Sequence, residues 1–227
     1  MRIFKVDWLH AVDQGVGATT LGCLFTLLTK VLPGARKCDR VGSLRAAMNQ
    51  FYDAKGITDR IPSFNENSFK GSKSSGPKLR CSAACCRSLI PFGDEMAKLH
   101  LADDDPEQSA AKWAIHHLHA CYSSLRSDAI FPREALAYHG PRFAQQLIAL
   151  EACYGGARWS VKPKLHLFMH LCESDGRPAM HWCYRDEDYG GSIAQMAHPR
   201  GRWDRVGAYS RRVLELFQIR HEVPRVV

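Results

Sequence analysis

The chain has 227 residues, of which 45% are apolar and 24% are charged, and a formal net charge of +8. This length and composition are typical of a soluble globular protein that can bury a core. Because no run of eighteen apolar residues occurs and the first fifteen residues lack an apolar core, we expect neither a transmembrane helix nor a signal peptide. The basic excess suits a polyanionic partner such as DNA, although it also favours solubility.

The first third of the chain predicts helices followed by a loop. Apolar residues recur at spacings of three and four over residues 3–32, which indicates one or two helices. Gly15 and Gly17 predict a bend near the middle of that segment. Residues 41–55 form an amphipathic pattern that Gly56 closes. Residues 57–78 are rich in Ser, Asn, Gly, Pro and Lys, and we expect an exposed loop there.

Helical spacing continues through the rest of the chain. It spans residues 79–101, where Pro91 is expected to kink or divide the helix, and residues 108–125 after an acidic entry turn. It also covers residues 131–154, where Gly140-Pro141 predicts a break. We therefore predict a mainly α, single multi-helix domain over 1–227, with N-terminal helices (1–56), a loop (57–78), a helical region (79–155), a histidine-pair helix with an acidic motif (159–198) and a last helix (203–219).

Nine cysteines occur without a CxxC motif. In a chain without a secretory signal, this pattern predicts reduced and mostly buried thiols rather than a disulfide framework. The missing CxxC also argues against a zinc finger. Phosphate-binding loops and serine-hydrolase motifs are likewise absent from the sequence.

Two histidine-containing motifs lie at opposite ends of the chain. His166 and His170 are four residues apart, so on a helix beginning near Pro163 they share one face. The intervening residues are apolar, which predicts a buried helix whose imidazoles need partners. Asp7 and His10 form a DxxH motif that supplies one carboxylate and one further imidazole. Together these four residues would suffice for a zinc ion, whereas the alternative is that they pack or cap helices.

Two further clusters have competing interpretations. Three adjacent carboxylates at residues 186–188 could hold a divalent cation or could simply begin a helix. His116, His117 and His119 share a helix with Cys121, but no second ligand pair follows at a suitable spacing. We interpret these histidines as packing or surface residues.

The order of the motifs is more informative than any one of them. VDWLHAVDQGV, a long helical region, KPKLHLFMHLCE and then RDEDYGG occur in this order. This order resembles the RNase H-like transposases of eukaryotic cut-and-paste elements, above all the CACTA/Plavaka-like group, over residues 4–195. The segment 77–92 also resembles part of that group's helical insertion.

The resemblance implies roles for several residues. Asp7 and His10 would be one half of a structural zinc site, and His166 and His170 would be the other half. Glu187 would be the last acid of the catalytic set, and Asp7 would alternatively be its second acid. The remaining catalytic acids and a strand-rich first half have no counterpart in the sequence. We therefore expect a C-terminal fragment or a domesticated remnant of a transposase. Magnesium would be a cofactor only if the complete catalytic set exists.

The expected function is DNA binding without complete catalysis. We expect an intracellular location, which would be nuclear if the source is eukaryotic. No membrane partner is expected, and the chain could form homo-oligomers. The alternative is a zinc-stabilised helical module that binds protein, and a less favoured one is an independent metal hydrolase. Basic residues are expected to contact phosphates without reading sequence, and those singled out are Lys70, Lys73, Lys78, Arg80, Arg200, Arg202 and Arg205.

Overall fold

A computed structural model describes residues 6–71, 76–125, 131–155, 157–174, 176–181, 183 and 215. The chain divides into two compact units, Met1–Trp182 and Cys183–Val227. In the first unit, the described ranges contain helices and no strand, which confirms the mainly α prediction. A π-helix (Leu9–Gly17) precedes six α-helices, which are α1 (Ala18–Val31), α2 (Lys37–Lys55), α3 (Ala83–His100), α4 (Pro106–Leu125), α5 (Arg133–Tyr154) and α6 (Lys164–Glu173), and two short 3-10 helices lie at Glu66–Ser68 and Pro178–His181.

The second unit is described only at Cys183 and at Glu215, which is helical. The predicted acidic motif at 186–188 and most of the predicted last helix, 203–219, lie outside the described residues.

The π-helix and α1 meet at the predicted bend. Gly15 has backbone angles of φ −107° and ψ −111°, which are not helical, so the chain changes direction there. A side chain at Gly15 would lie 2.8 Å from Cδ of Lys164 and 3.0 Å from the carbonyl oxygen of His10. The glycine therefore also allows α6 to approach closely. The continuous stretch Leu9–Val31 is long and apolar enough to span a membrane, but 89% of its 18-residue apolar window is buried.

Helix α2 has the predicted amphipathic face, and Gly56 ends it with φ +62°. The side chains buried on that face include Leu44, Met48, Phe51 and Tyr52. The following segment was predicted to be exposed, and for its aromatic residues this is wrong. Phe64 and Phe69 are 3% and 1% exposed, and their stacked rings lie 5.5 Å apart beneath Phe25 of α1. Composition missed this because two large aromatic side chains outweigh many small polar ones in buried area.

Two predicted divisions of helices are absent. Helix α3 continues through Pro91, and α5 continues through Gly140 and Pro141. An interior proline removes a single backbone hydrogen bond, and each helix buries apolar residues on both sides of its proline, so packing holds the helix together. Gly140 has a packing role, since a Cβ there would lie 2.3 Å from Sγ of Cys172 on α6.

Aromatic rings join the π-helix to α4, α5 and α6. The Trp8 ring, which is completely buried, lies edge-on to Tyr122 at 5.4 Å and to Phe168 at 5.9 Å. Phe168 in turn meets Phe143 edge-on at 5.2 Å. Such pairs prefer edge-to-face geometry and add specificity to apolar burial. This aromatic cluster fixes the position of α6 against the start of the chain.

Most of the cysteines are buried thiols, as predicted. Cys23, Cys85, Cys86, Cys121 and Cys172 are buried, whereas Cys38 and Cys153 are exposed. Burial raises the pKa of the Cys23 thiol to about 12, which makes it unreactive. A hydrogen bond with Cys172, followed by burial, raises the pKa of Cys121.

Candidate functional site

Asp7 and His10 form a local pair at the start of the π-helix. Oδ2 of Asp7 accepts a hydrogen bond from the backbone N–H of His10 at 2.9 Å and lies 2.7 Å from Nδ1 of the same residue. Asp7 therefore satisfies an N–H group of the helix start and orients the imidazole. When a carboxylate holds Nδ1, the other ring nitrogen has the lone pair that a metal could bind. A carboxylate oxygen and an imidazole nitrogen thus lie close enough to contribute to a metal-binding group.

His166 and His170 form a second pair on α6. Their Nε2 atoms are 2.9 Å apart, and their rings meet edge-on at 4.3 Å. The prediction of a fully buried helix is wrong, because both histidines are exposed and Leu167 is 38% exposed. The helix buries only one face, which consists of Leu165, Phe168, Leu171 and Cys172. Because solvent reaches the imidazoles, their pairing does not depend on a buried partner.

The helices that carry the two pairs pack against each other. Nζ of Lys164 donates a hydrogen bond of 2.8 Å to the carbonyl oxygen of His10, although 154 residues separate the two in sequence. The aromatic contact between Trp8 and Phe168 lies in the same interface. Within the described ranges, however, neither His166 nor His170 belongs to a group of three ligand atoms within 4.8 Å of one another. The predicted four-ligand zinc site stays a prediction.

Two acids, of which Glu107 is buried and Glu151 is half-buried, position the segment that leads into α6. Glu107, in the first turn of α4, accepts a hydrogen bond of 2.8 Å from Nε1 of Trp159 and pairs with the Arg158 guanidinium. Oε1 of Glu151 accepts another from the backbone N–H of Val161 at 2.8 Å. Pro163 then begins α6 as predicted. These contacts fix where the His166 pair lies, since the chain enters α6 only a few residues later.

An apolar groove lies beside His166, between α5 and α6. Its volume is about 740 Å³, and Ile148 on its α5 side is 54% exposed. Its lining also includes Ala144, Leu165 and Met169. The groove is mostly apolar, with His166 as one of the few polar groups at its edge.

Three of the basic residues singled out in the sequence are described, and they lie on one short segment. Lys70, Lys78 and Arg80 are all exposed, and Nη2 of Arg80 donates a hydrogen bond of 3.3 Å to the carbonyl oxygen of Lys70. Partial burial, and then the charge of nearby Lys78, lower the pKa of Lys164, so this lysine on α6 belongs to the same positive region. Of the other residues singled out in the sequence, Lys73, Arg200, Arg202, Arg205 and Glu187 lie outside the described residues.

The sequence did not indicate that the α4 histidines have partners on other helices. His117 meets His139 of α5, and His119 meets Asp94 of α3. Both partners are at least 22 residues away in sequence, so no short motif contains them. The only signal in the sequence was the presence of three histidines, at positions 116, 117 and 119, within about one helical turn.

Comparisons of the chain with protein-family models, with curated proteins and with solved structures each find no match.

Proposed function

We propose that this chain is a transposase-derived protein that binds DNA and lacks a complete nuclease centre of its own. The observation that supports the proposal best is the packing of the π-helix against α6. The order of motifs implies that Asp7 and His10 act with His166 and His170, and their helices are in contact through Lys164 and His10. The proposed location is intracellular, and nuclear in a eukaryote.

In this proposal a structural zinc ion would fasten the start of the chain to α6. Asp7, His10, His166 and His170 would supply the ligands, with neutral imidazoles and an ionised carboxylate as zinc requires. Each pair is already formed locally, and the zinc ion would have to bring the two pairs together. Magnesium would bind only to a complete catalytic set that includes Glu187.

Metal analysis of the purified full chain tests this zinc site. We expect the zinc held by these four residues to be lost in His166→Ala and in His170→Ala, together with a lower melting temperature. His100→Ala, at the end of α3, is the control and should retain the metal. If His166→Ala and His170→Ala change neither the zinc content nor the melting temperature, the zinc part of the proposal is rejected.

The DNA-binding surface would be the segment that carries Lys70, Lys78 and Arg80. These exposed cations, with Lys164 nearby, would contact phosphates without reading sequence, and affinity should therefore fall steeply with salt. Each phosphate contact that is lost reduces the salt dependence of log K by about 0.9. Lys78→Ala and Arg80→Ala should each lower this slope by roughly that amount. Lys55→Ala removes a charge that already pairs with Glu95 at 3.7 Å, so it should leave the slope unchanged.

The binding experiment also separates the alternative function. A zinc-stabilised helical module that binds protein would have the same metal site but no affinity for duplex DNA. Binding that is equal at low and physiological salt would therefore reject the DNA-binding proposal. Measurement of strand cleavage tests the missing nuclease centre, for which we expect no magnesium-dependent nicking. Nicking that disappears in Glu187→Gln would contradict this expectation.

A further inference from the structure

A cluster of histidines lies where α3, α4 and α5 meet, away from both pairs discussed above. Nδ1 of His117 on α4 is 3.0 Å from Nδ1 of His139 on α5, and the two rings are 5.2 Å apart. The ring of His116 lies 5.6 Å from that of His117 and 6.4 Å from that of His139. All three histidines are half-buried, so an ion in solution can reach them.

A buried carboxylate lies behind this cluster. The side chain of Asp94 on α3 is only 3% exposed, and its Oδ2 binds Nδ1 of His119 at 2.7 Å and Nζ of Lys98 at 2.8 Å. Its other oxygen, Oδ1, has no hydrogen-bond partner and faces Nδ1 of His116, itself without a hydrogen bond, at 3.5 Å. A carboxylate on Nδ1 of a histidine orients Nε2, on the other side of the ring, towards a metal.

We propose that His117 and His139, with His116 as the third ligand and Asp94 as its positioning residue, bind a transition-metal ion of the zinc class. With metal–nitrogen bonds of about 2.05 Å and tetrahedral angles, two ligand nitrogens lie about 3.3 Å apart and ring centres about 5.2 Å apart. The His117–His139 pair, at 3.0 Å and 5.2 Å, is already close to these distances. Within the described residues, the ligand atoms of these three histidines do not all lie within 4.8 Å of one another. His116 therefore has to approach the pair by a turn of its side chain before it can act as the third ligand.

The electrostatics of the cluster also favour neutral imidazoles. Burial, then the neighbouring His139, His116 and Arg142, lower the pKa of His117 to about 4. Burial, then His116 and Arg142, lower the pKa of His139. The neutral ring is the form that binds a metal. Arg142 and Lys98 would repel a bound cation, and the buried charge of Asp94 would oppose that repulsion.

Zinc titration of the full-length protein in the presence of a competing chelator tests the proposal. We expect His117→Ala and His139→Ala each to weaken the affinity of this site at least tenfold, and His116→Ala and Asp94→Asn to weaken it about tenfold or more. In a background with alanine at His10, His166 and His170, cobalt(II) should give the visible absorption of a tetrahedral nitrogen site, which is lost when His117→Ala or His139→Ala is added. In the same background, saturating zinc should raise the melting temperature by about 5 °C, and adding His117→Ala or His139→Ala should abolish that rise.

Controls make the result specific to this cluster. His100→Ala lies on α3 outside the cluster and should leave the affinity unchanged. A variant with alanine at His10, His166 and His170 lacks the zinc site of the proposed function and should still bind zinc at the cluster, so the two proposals can fail separately. His117→Gln and His139→Gln keep a polar side chain and serve if an alanine variant unfolds. If folded His117 and His139 variants bind zinc with unchanged affinity, the proposal is overturned. The contact between His117 and His139 would then be only a hydrogen bond between two neutral imidazoles.

Discussion

The packing between α1 and the segment that carries Lys78 makes a strong prediction for Gly22→Ala. A Cβ at Gly22 would lie 2.5 Å from Cα of Lys78, 2.6 Å from its backbone nitrogen and 2.7 Å from that of Leu79. Ordinary contacts between such atoms are about 3.5–4.0 Å long, so the segment has to retreat by roughly 1 Å. The obstacle is backbone and cannot turn aside as a flexible side chain would.

The cost can be estimated from the contacts that this movement disturbs. Leu79 is 1% exposed, and its backbone N–H donates a hydrogen bond of 2.8 Å to the carbonyl oxygen of Ala18. Weakening that hydrogen bond costs about 1 kcal/mol, and overpacking costs about 1–3 kcal/mol. The better helix propensity of alanine offsets about 1 kcal/mol of this loss in stability. We therefore expect the free energy of unfolding of Gly22→Ala to fall by about 1–3 kcal/mol.

Urea unfolding followed by far-UV circular dichroism measures this change, and Gly42→Ala is the matched control. Gly42 also lies inside a helix, α2, but a Cβ there would meet nothing within 4 Å. Only the propensity gain then applies, so Gly42→Ala should be more stable than the wild type by about 0.5–1 kcal/mol. A Gly22→Ala protein that gains as much stability as Gly42→Ala would refute the close packing of this segment on α1.

Two further predictions concern carboxylates at the start of α4. Glu107→Gln should lower the free energy of unfolding by about 1–3 kcal/mol in urea titrations, because a buried charge-assisted contact with the loop before α6 is lost. Glu134→Gln, at an exposed position in α5, should change it little. For Asp105, hydrogen bonds from Gln108 lower the pKa below the usual 3.8, so its stabilisation is present above pH 3.8 and is lost as the pH falls through the lower, folded-state value. Asp105→Asn should therefore lose less stability than the wild type between pH 4 and pH 2, and an identical acid profile for both proteins would contradict this assignment.

Periodicity was sufficient to predict most of the helices, since each buries one apolar face that recurs every three to four residues. The amphipathic pattern over residues 41–55 places Leu44, Met48, Phe51 and Tyr52 on one face, and all four are buried in α2. The errors lie where a tertiary contact overrides a local rule. Gly140 and Pro141 would be breakers in an isolated helix, but the close approach of Cys172 to Gly140 makes the site part of a helix interface. The burial of Phe64 likewise depends on Phe25 of α1, which composition does not include.

Among the candidate sites, contacts within one helix were predicted from the sequence and contacts between helices were not. Asp7 with His10 and His166 with His170 are contacts within one helical turn, so spacing alone predicted that their side chains would meet. A contact between helices depends on how far each helix is rotated about its axis, which the packed core decides. For this reason the spacing of residues in the sequence did not predict that His139 approaches His117. Such a cross-helix pair holds its geometry through the fold rather than through a single turn, and an ion bound there would join α4 to α5.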